Sequence, residues 1–195
     1  MRADFPARTL QELMDVARAR PGTLTFGSGG SGGVPHFAFE VWRQQMGGLD
    51  IAHVPYRGSG PALQDLLGGR VQKMIDGYGL MKGAHEAGRV RVLAITSARR
   101  HPNLPDVPTA REAGVPGYEF VSWNALSAPA ATPPAIVARL EQALGWVMKN
   151  TDLPQVILGF GTFPQFDTGA NVRARLVRDR EAWSRIAREA KIVAD

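Results

Sequence analysis

The sequence predicts an α/β fold, a mainly parallel sheet flanked by helices. Two observations carry this. Short β-prone runs alternate with helical periodicities from residue 9 to residue 96, and each of the first strand-like runs empties into a glycine-containing turn that opens a helix. Such an order argues for right-handed βαβ units.

The elements follow in order. Thr9-Leu10-Gln11-Glu12 is a capping box opening a helix to about Ala19, which Pro21-Gly22 ends. Leu24 to Phe26 is a short strand before a glycine turn. Pro35 to Met46 reads as a helix with Phe37, Val41 and Trp42 on one face and Gly47-Gly48 as its stop. Ile51 to Val54 is a strand. Ser59 is the expected N-cap of the next helix, with Pro61 early in it and Leu63, Leu66 and Leu67 as its apolar stripe. Val71 to Ile75 is a strand, Leu80 to Ala87 a short helix, and Arg91 to Thr96 a buried strand. Beyond residue 97 the pattern changes. A proline-rich loop at 99–108 leads to a second capping box, Thr109 to Glu112, closed by Gly114. An extended segment runs from Tyr118 to Ser127. A long helix capped by Thr132 runs to about Lys149, then come a short helix, a strand at 162–166 and a final helix from Gly169 to Ala190.

Composition removes several function classes. The 195-residue chain has no cysteine, which excludes disulfides and thiolate chemistry and fits an exported bacterial protein. No apolar run approaches the ~20 residues that span a bilayer. Met1 to Pro6 carries no apolar h-region, so no signal peptide is legible in the sequence as given. The net charge of +5 favours anionic partners weakly. Arg173, Arg175, Arg178, Arg180, Arg185 and Arg188 are interleaved with Asp179, Glu181 and Glu189, the pattern of a solvated helix face with i,i+3 and i,i+4 pairing. No aromatic–basic alternation supports nucleic-acid binding.

The chemistry concentrates in Gly27-Ser28-Gly29-Gly30-Ser31-Gly32-Gly33, five glycines and two serines between a strand and a helix. Bare backbone N–H groups beside a helix N-terminus make an anion receptor. Gly27-x-Gly29-x-x-Gly32 formally fits a dinucleotide fingerprint, but the acid at the required distance, Asp50, opens the next strand instead of closing it. Gly29-Gly30-Ser31-Gly32-Gly33 formally fits a nucleophile elbow with Ser31 as nucleophile and Asp76 and His85 or His101 behind it. Ser31 nevertheless floats in a long glycine loop, and no second oxyanion segment is visible. A surface loop with no ligand is the plain alternative.

In parallel sheets ligands bind beyond the carboxyl ends of the strands. That rule selects residues 27–33, 56–59 and 76–78. Asp76 would orient a water or accept a hydrogen bond from a ligand, or else cap the next helix. Tyr56 and Tyr78 stand at the rim as ligand contacts or as packing. His36, in the first turn of its helix, and His53, in mid-strand, read as structural side chains. No metal-ligand spacing occurs, and no cofactor is expected.

These residues also carry a family resemblance. Phe26 to Gly33 with His36 resembles the Y-G-S-A-G-x-G-T-x-x-H loop of the Bug receptors, the periplasmic solute-binding proteins of tripartite tricarboxylate transporters. His53-Val54-Pro55-Tyr56-Arg57-Gly58-Ser59-Gly60-Pro61-Ala62, Asp65 to Val71, Met74-Ile75-Asp76, Arg91 to Ser97, and Leu104 to Thr109 with Glu112-Ala113-Gly114 match as well. The resemblance covers the chain from about Pro6 onward. It implies a periplasmic-binding-protein-like Venus flytrap of type II that closes on a small carboxylate or dicarboxylate. It also implies a periplasmic location, transporter subunits of the same system as partners, and no catalysis. The implied ligand residues are Ser28, Gly29, Gly30, Ser31, Gly32, Gly33, Tyr56, Asp76 and Tyr78. Family members carry a further stretch, about one small domain in size, ahead of the position where this sequence starts. Residues 1–120 then correspond to the ligand-binding lobe and 121–195 to a crossover strand and C-terminal helices that return to the other lobe. A truncated fragment that binds nothing, or that self-associates through exposed apolar faces, is the expectation if that other lobe is required. Asp76-Gly77-Tyr78-Gly79 departs from the asparagine- or leucine-type residues that commonly follow the aspartate in the family.

Overall fold

The computed structural model describes residues 1–193. Its sheet has three parallel strands in the order β2-β1-β3, with β1 (Leu24–Ser28) between β2 (Ile51–Pro55) and β3 (Lys73–Met74). The helices are α1 (Leu10–Ala19), α2 (Val34–Gln45), α3 (Ser59–Leu67), α4 (Tyr78–Glu86), α5 (Pro134–Asn150), α6 (Leu153–Gly159) and α7 (Gly169–Glu189).

Strand periodicity assigns the two faces of the sheet. Leu24 and Phe26 point into a core built with Leu13, Met14 and Ala17 of α1 and Phe39 and Trp42 of α2. Phe26 stacks on Phe39 with ring centroids 4.2 Å apart. Gly27 faces the other way: a Cβ there would meet Val71 Cγ2 at 3.0 Å and Tyr56 Cε2 at 3.5 Å. Val71 belongs to the second core, with Leu63 and Leu66 of α3. Helices therefore cover both faces, as the sequence predicts.

Thr9 caps α1 by accepting the Glu12 N–H at 3.1 Å. The Glu12 carboxylate reaches back to the Arg8 N–H, one residue short of the expected cap. Ser59 is not the cap of α3; Gly58 is, at φ +102°, and Ser59 is the first helical residue. Thr132 caps nothing: Pro133 precedes α5 and no side chain caps it.

Several expected elements are shorter or absent. The strand at 71–75 keeps only Lys73–Met74, paired with Phe26 and Gly27. Residues 91–96 form no strand. The main-chain groups of Arg91 are taken by Met1, and its guanidinium holds the carbonyls of Ala3 and Ala7. Only Ile95 bridges onward, to Thr109. The backbone groups of the stretch are thus divided, Arg91 bonding the N-terminal segment while Ile95 bonds Pro108 and Ala110 and Thr96 accepts from Phe120, so no single strand runs along it. The box at 109–112 makes both reciprocal bonds, Thr109 N–H to Glu112 and Glu112 N–H to Thr109 Oγ1, yet stays a turn, and Gly114 at φ +92° closes it. Residues 162–166 are not a strand either; Phe163 lies against His101 at 5.0 Å.

The C-terminal helices lie on this body with little burial. No residue of α5, α6 or α7 is buried. Trp183 of α7 stacks between Phe37 of α2, at 5.4 Å, and Phe120, at 5.9 Å. On α5, Ile136, Val137, Leu140, Leu144 and Trp146 are exposed. The pairing expected along α7 reduces, among the described residues, to Arg175–Asp179 at 3.5 Å. No helix among the described residues is long and apolar enough to cross a membrane.

Candidate functional site

The strand order brings the carboxyl ends of β2, β1 and β3 side by side. The turns after them meet there, at the rim that the strand-end rule selects. Tyr56 N–H donates to Ser28 O at 2.9 Å and Gly58 N–H to Gly29 O at 3.1 Å, which ties the β2–α3 turn to the β1–α2 loop. A Cβ on Gly29 would lie 2.7 Å from Ser59 Oγ and 2.9 Å from Ser59 N. Only glycine permits that approach of the α3 N-terminus. Gly30 and Gly32 have φ of +141° and +71°, the left-handed half of backbone space that L side chains avoid.

The helices that leave this rim share a feature. α2, α3 and α4 are N-capped by Gly33, Gly58 and Gly77, and none has a side-chain cap hydrogen bond. Of the helices that start elsewhere, α1 and α7 are capped by the side chains of Thr9 and Thr168, and α5 and α6 open at Pro133 and Asp152 without a side-chain cap, so the glycine at the cap is what sets the rim helices apart. Glycine caps leave the first-turn N–H groups of a helix open to an outside acceptor. Among the described residues the N–H groups of Gly29, Ser31, Gly33 and Val34 donate no internal hydrogen bond. Three helix N-termini thus point partial positive charge at one rim.

The candidate side chains divide. The Ser28 hydroxyl is fully buried and turned beneath the loop, 2.6 Å from His53 Nε2. The serine–imidazole contact seen beneath the loop is therefore at Ser28, whose hydroxyl is sealed from solvent. Tyr56 donates its hydroxyl to Asp65 at 2.8 Å. Burial first, and that carboxylate second, raise its pKa above the ordinary tyrosine value. Hydrogen bonds from Tyr56 and Arg70 in turn hold the Asp65 carboxyl below its usual range. Tyr78 contacts His85 Nδ1 at 3.1 Å and packs on Gly161, with burial raising its pKa. Both tyrosines are therefore fastened to their own side of the rim. Asp76 does not cap α4. Its Oδ1 accepts the Gly77 N–H at 2.8 Å, and its Oδ2 is buried without a protein partner. An acceptor in that state suits a ligand hydroxyl, a protonated carboxyl or a water.

His36 and His53, which the sequence marks only as structural, sit directly under the loop. Among the described residues no cluster of His, Asp or Glu is assembled for a metal ion. An open hollow of about 450 Å³ on α7, lined by Val177, Arg180, Glu181, Ser184 and Arg188, lies on one helix and faces no strand end.

Comparison with known proteins decides the family. Residues 1–192 match the tripartite tricarboxylate transporter family receptor. The chain belongs to that receptor family. It is 30% identical over 181 residues to the protein BugT of Bordetella pertussis, covering 93% of this chain and 55% of that one. An R. palustris protein solved with adipate superposes at TM-score 0.90 with 33% identity, over 98% of this chain and 64% of that one. MatC from Rhodopseudomonas palustris with bound malate gives TM-score 0.80 and 31% identity, over 95% and 64%. The periplasmic-binding-protein-like fold expected from the resemblance is the fold of these structures. The chain spans about half the length of most of the curated relatives it matches.

Proposed function

We propose that this chain is the carboxylate-binding part of a periplasmic solute receptor that serves a tripartite tricarboxylate-type transporter. The observation that carries the reading is the set of glycine-capped helix N-termini at one rim, with the N–H groups of Gly29, Ser31, Gly33 and Val34 left without internal acceptors. A carboxylate seated there receives charge-assisted hydrogen bonds from donors already in place. Asp76 Oδ2, also without a partner, takes a proton-bearing group of the same ligand or a bridging water. Ser28 serves through its backbone and through loop shape, since its hydroxyl is engaged below. Tyr56 and Tyr78 border the rim. Adipate and malate, bound in two relatives, are the first ligands to try. In this reading residues 121–195 return to a second lobe, the periplasm is the compartment, and transporter subunits receive the loaded receptor.

Calorimetric titration with adipate, malate and inorganic phosphate tests this. Saturable binding of either dicarboxylate in preference to phosphate is expected. No heat with either dicarboxylate, or tighter binding of phosphate, overturns it. Ester turnover abolished by Ser31→Ala would instead favour the nucleophile-elbow alternative, a serine acyl hydrolase using Ser31.

A further inference from the structure

Glycine permits the shape of the β1–α2 loop but does not select it. Two histidines do. The register sets His53 opposite Phe26, so Phe26, Ser28 and His53 project from the same face of the sheet. That face is the one α2 covers. His53 Nε2 thereby reaches Ser28 Oγ at 2.6 Å. Ser28 Oγ accepts the Gly30 N–H at 3.3 Å and lies 3.1 Å from the Gly30 carbonyl. From the helix side, His36 Nδ1 accepts the Gly32 N–H at 3.2 Å. An accepting Nδ1 carries no proton, so the neutral His36 ring holds its proton on Nε2. The two imidazoles lie against each other, with centroids 3.9 Å apart and planes tilted by 32°. Gly30 and Gly32 are the loop residues with positive φ, and each is fastened to one imidazole, Gly32 directly and Gly30 through Ser28.

Resting on the carboxylate reading of the rim, we propose that His36 and His53 are the positioning residues of the cradle. They touch no ligand. They fix the two left-handed glycines, and with them the direction of the Ser31 and Gly33 N–H groups. A plain core-filling role needs only ring volume. The positioning role needs an acceptor at His36 Nδ1 and a polar atom at His53 Nε2.

The experiment uses the full chain with His36→Asn, His36→Leu, His53→Gln and His53→Leu. Asparagine returns an oxygen near the Nδ1 position, and glutamine returns a polar atom near Nε2. Hydrogen exchange of the amides at 29–34, followed by NMR, is read without ligand. In the leucine variants Gly30 or Gly32 exchange should quicken about tenfold or more, the equilibrium worth of one good hydrogen bond. The Asn and Gln variants should stay within about threefold of the parent. Equal exchange in Leu and parent proteins overturns the proposal, and so does failure of both polar variants to retain protection. If a leucine variant does not fold, the polar variants decide, because protection lost in both still overturns it. Adipate and malate affinities should follow the same order. A parent protein that binds neither ligand defeats the carboxylate reading, while the exchange data still decide the positioning roles.

Discussion

Replacing Lys73 by methionine should stabilise the protein. Lys73 lies in β3 at 4% exposure, on the face packed against α2. Its Nζ sits 3.4 Å from the Trp42 ring centroid, 4.5 Å from that of Phe39 and 5.6 Å from that of Phe26. Burial pushes its pKa well below the ordinary lysine value, opposed only by the charge of Glu40, which is itself spent on Arg43 at 2.7 Å. Removing an ammonium from water costs several kcal/mol. A desolvated cation–π contact returns about 2 kcal/mol. Methionine fills the same volume, keeps a favourable sulfur–ring contact and needs no solvation. The expected gain is about 1–3 kcal/mol, or roughly 5 °C in Tm for a chain of this size. Urea unfolding should show a higher midpoint at an unchanged slope. The pH dependence has a definite sign. With the folded pKa below the unfolded one, the unfolded chain binds the extra proton, so stability rises with pH toward the ordinary lysine value and falls as pH drops from it. Between about pH 9, above the range in which the Met1 amine titrates in either state (ordinarily near 8, lowered to about 6 in the fold), and about pH 10, where tyrosines begin to, the parent should gain stability and Lys73→Met should not. A methionine variant less stable than the parent, or a parent with flat stability across that window, would refute the argument.

Further expectations concern other parts of the molecule. His101 is 2% exposed with Nε2 unpartnered, and burial lowers its pKa. Stability should hold above the ordinary histidine range and fall as pH drops toward the depressed value, and His101→Leu should flatten the loss of Tm between about pH 7 and 5. Gly29→Ala drives a methyl into Ser59 and should weaken dicarboxylate binding about tenfold or more, measured by calorimetry, as the loop and α3 are forced apart. Trp146→Gln with Leu140→Gln, at positions 61% and 44% exposed on α5, should reduce any self-association seen by light scattering. An unchanged molar mass at raised concentration in the parent would remove the reason for that pair.

The glycine rim was readable because its signals are local. A strand, a turn that needs positive φ and a helix start occupy adjacent residues, and the strand-end rule needs no tertiary knowledge. Segment 91–96 misled because an apolar β-branched run has the same pattern whether it pairs with a strand or lies against a loop. The Arg91 bonds to Met1, Ala3 and Ala7 settle that, and they join residues far apart in sequence. Thr109 to Glu112 has a complete capping box, yet a cap lowers the cost of starting a helix without supplying one, and Gly114 closes the chain within a single turn. The His53–Ser28 contact was hidden for another reason. It depends on the offset between β1 and β2, which only the folded sheet reveals.

The bonds from Tyr56 to Ser28 and from Gly58 to Gly29 join two loops into one jaw as part of the fold itself. The ordering entropy that a flexible loop would surrender on capturing an anion is then met during folding, once, and not at each capture. On the carboxylate reading proposed above, a jaw ordered during folding would serve successive anions without being rebuilt between them.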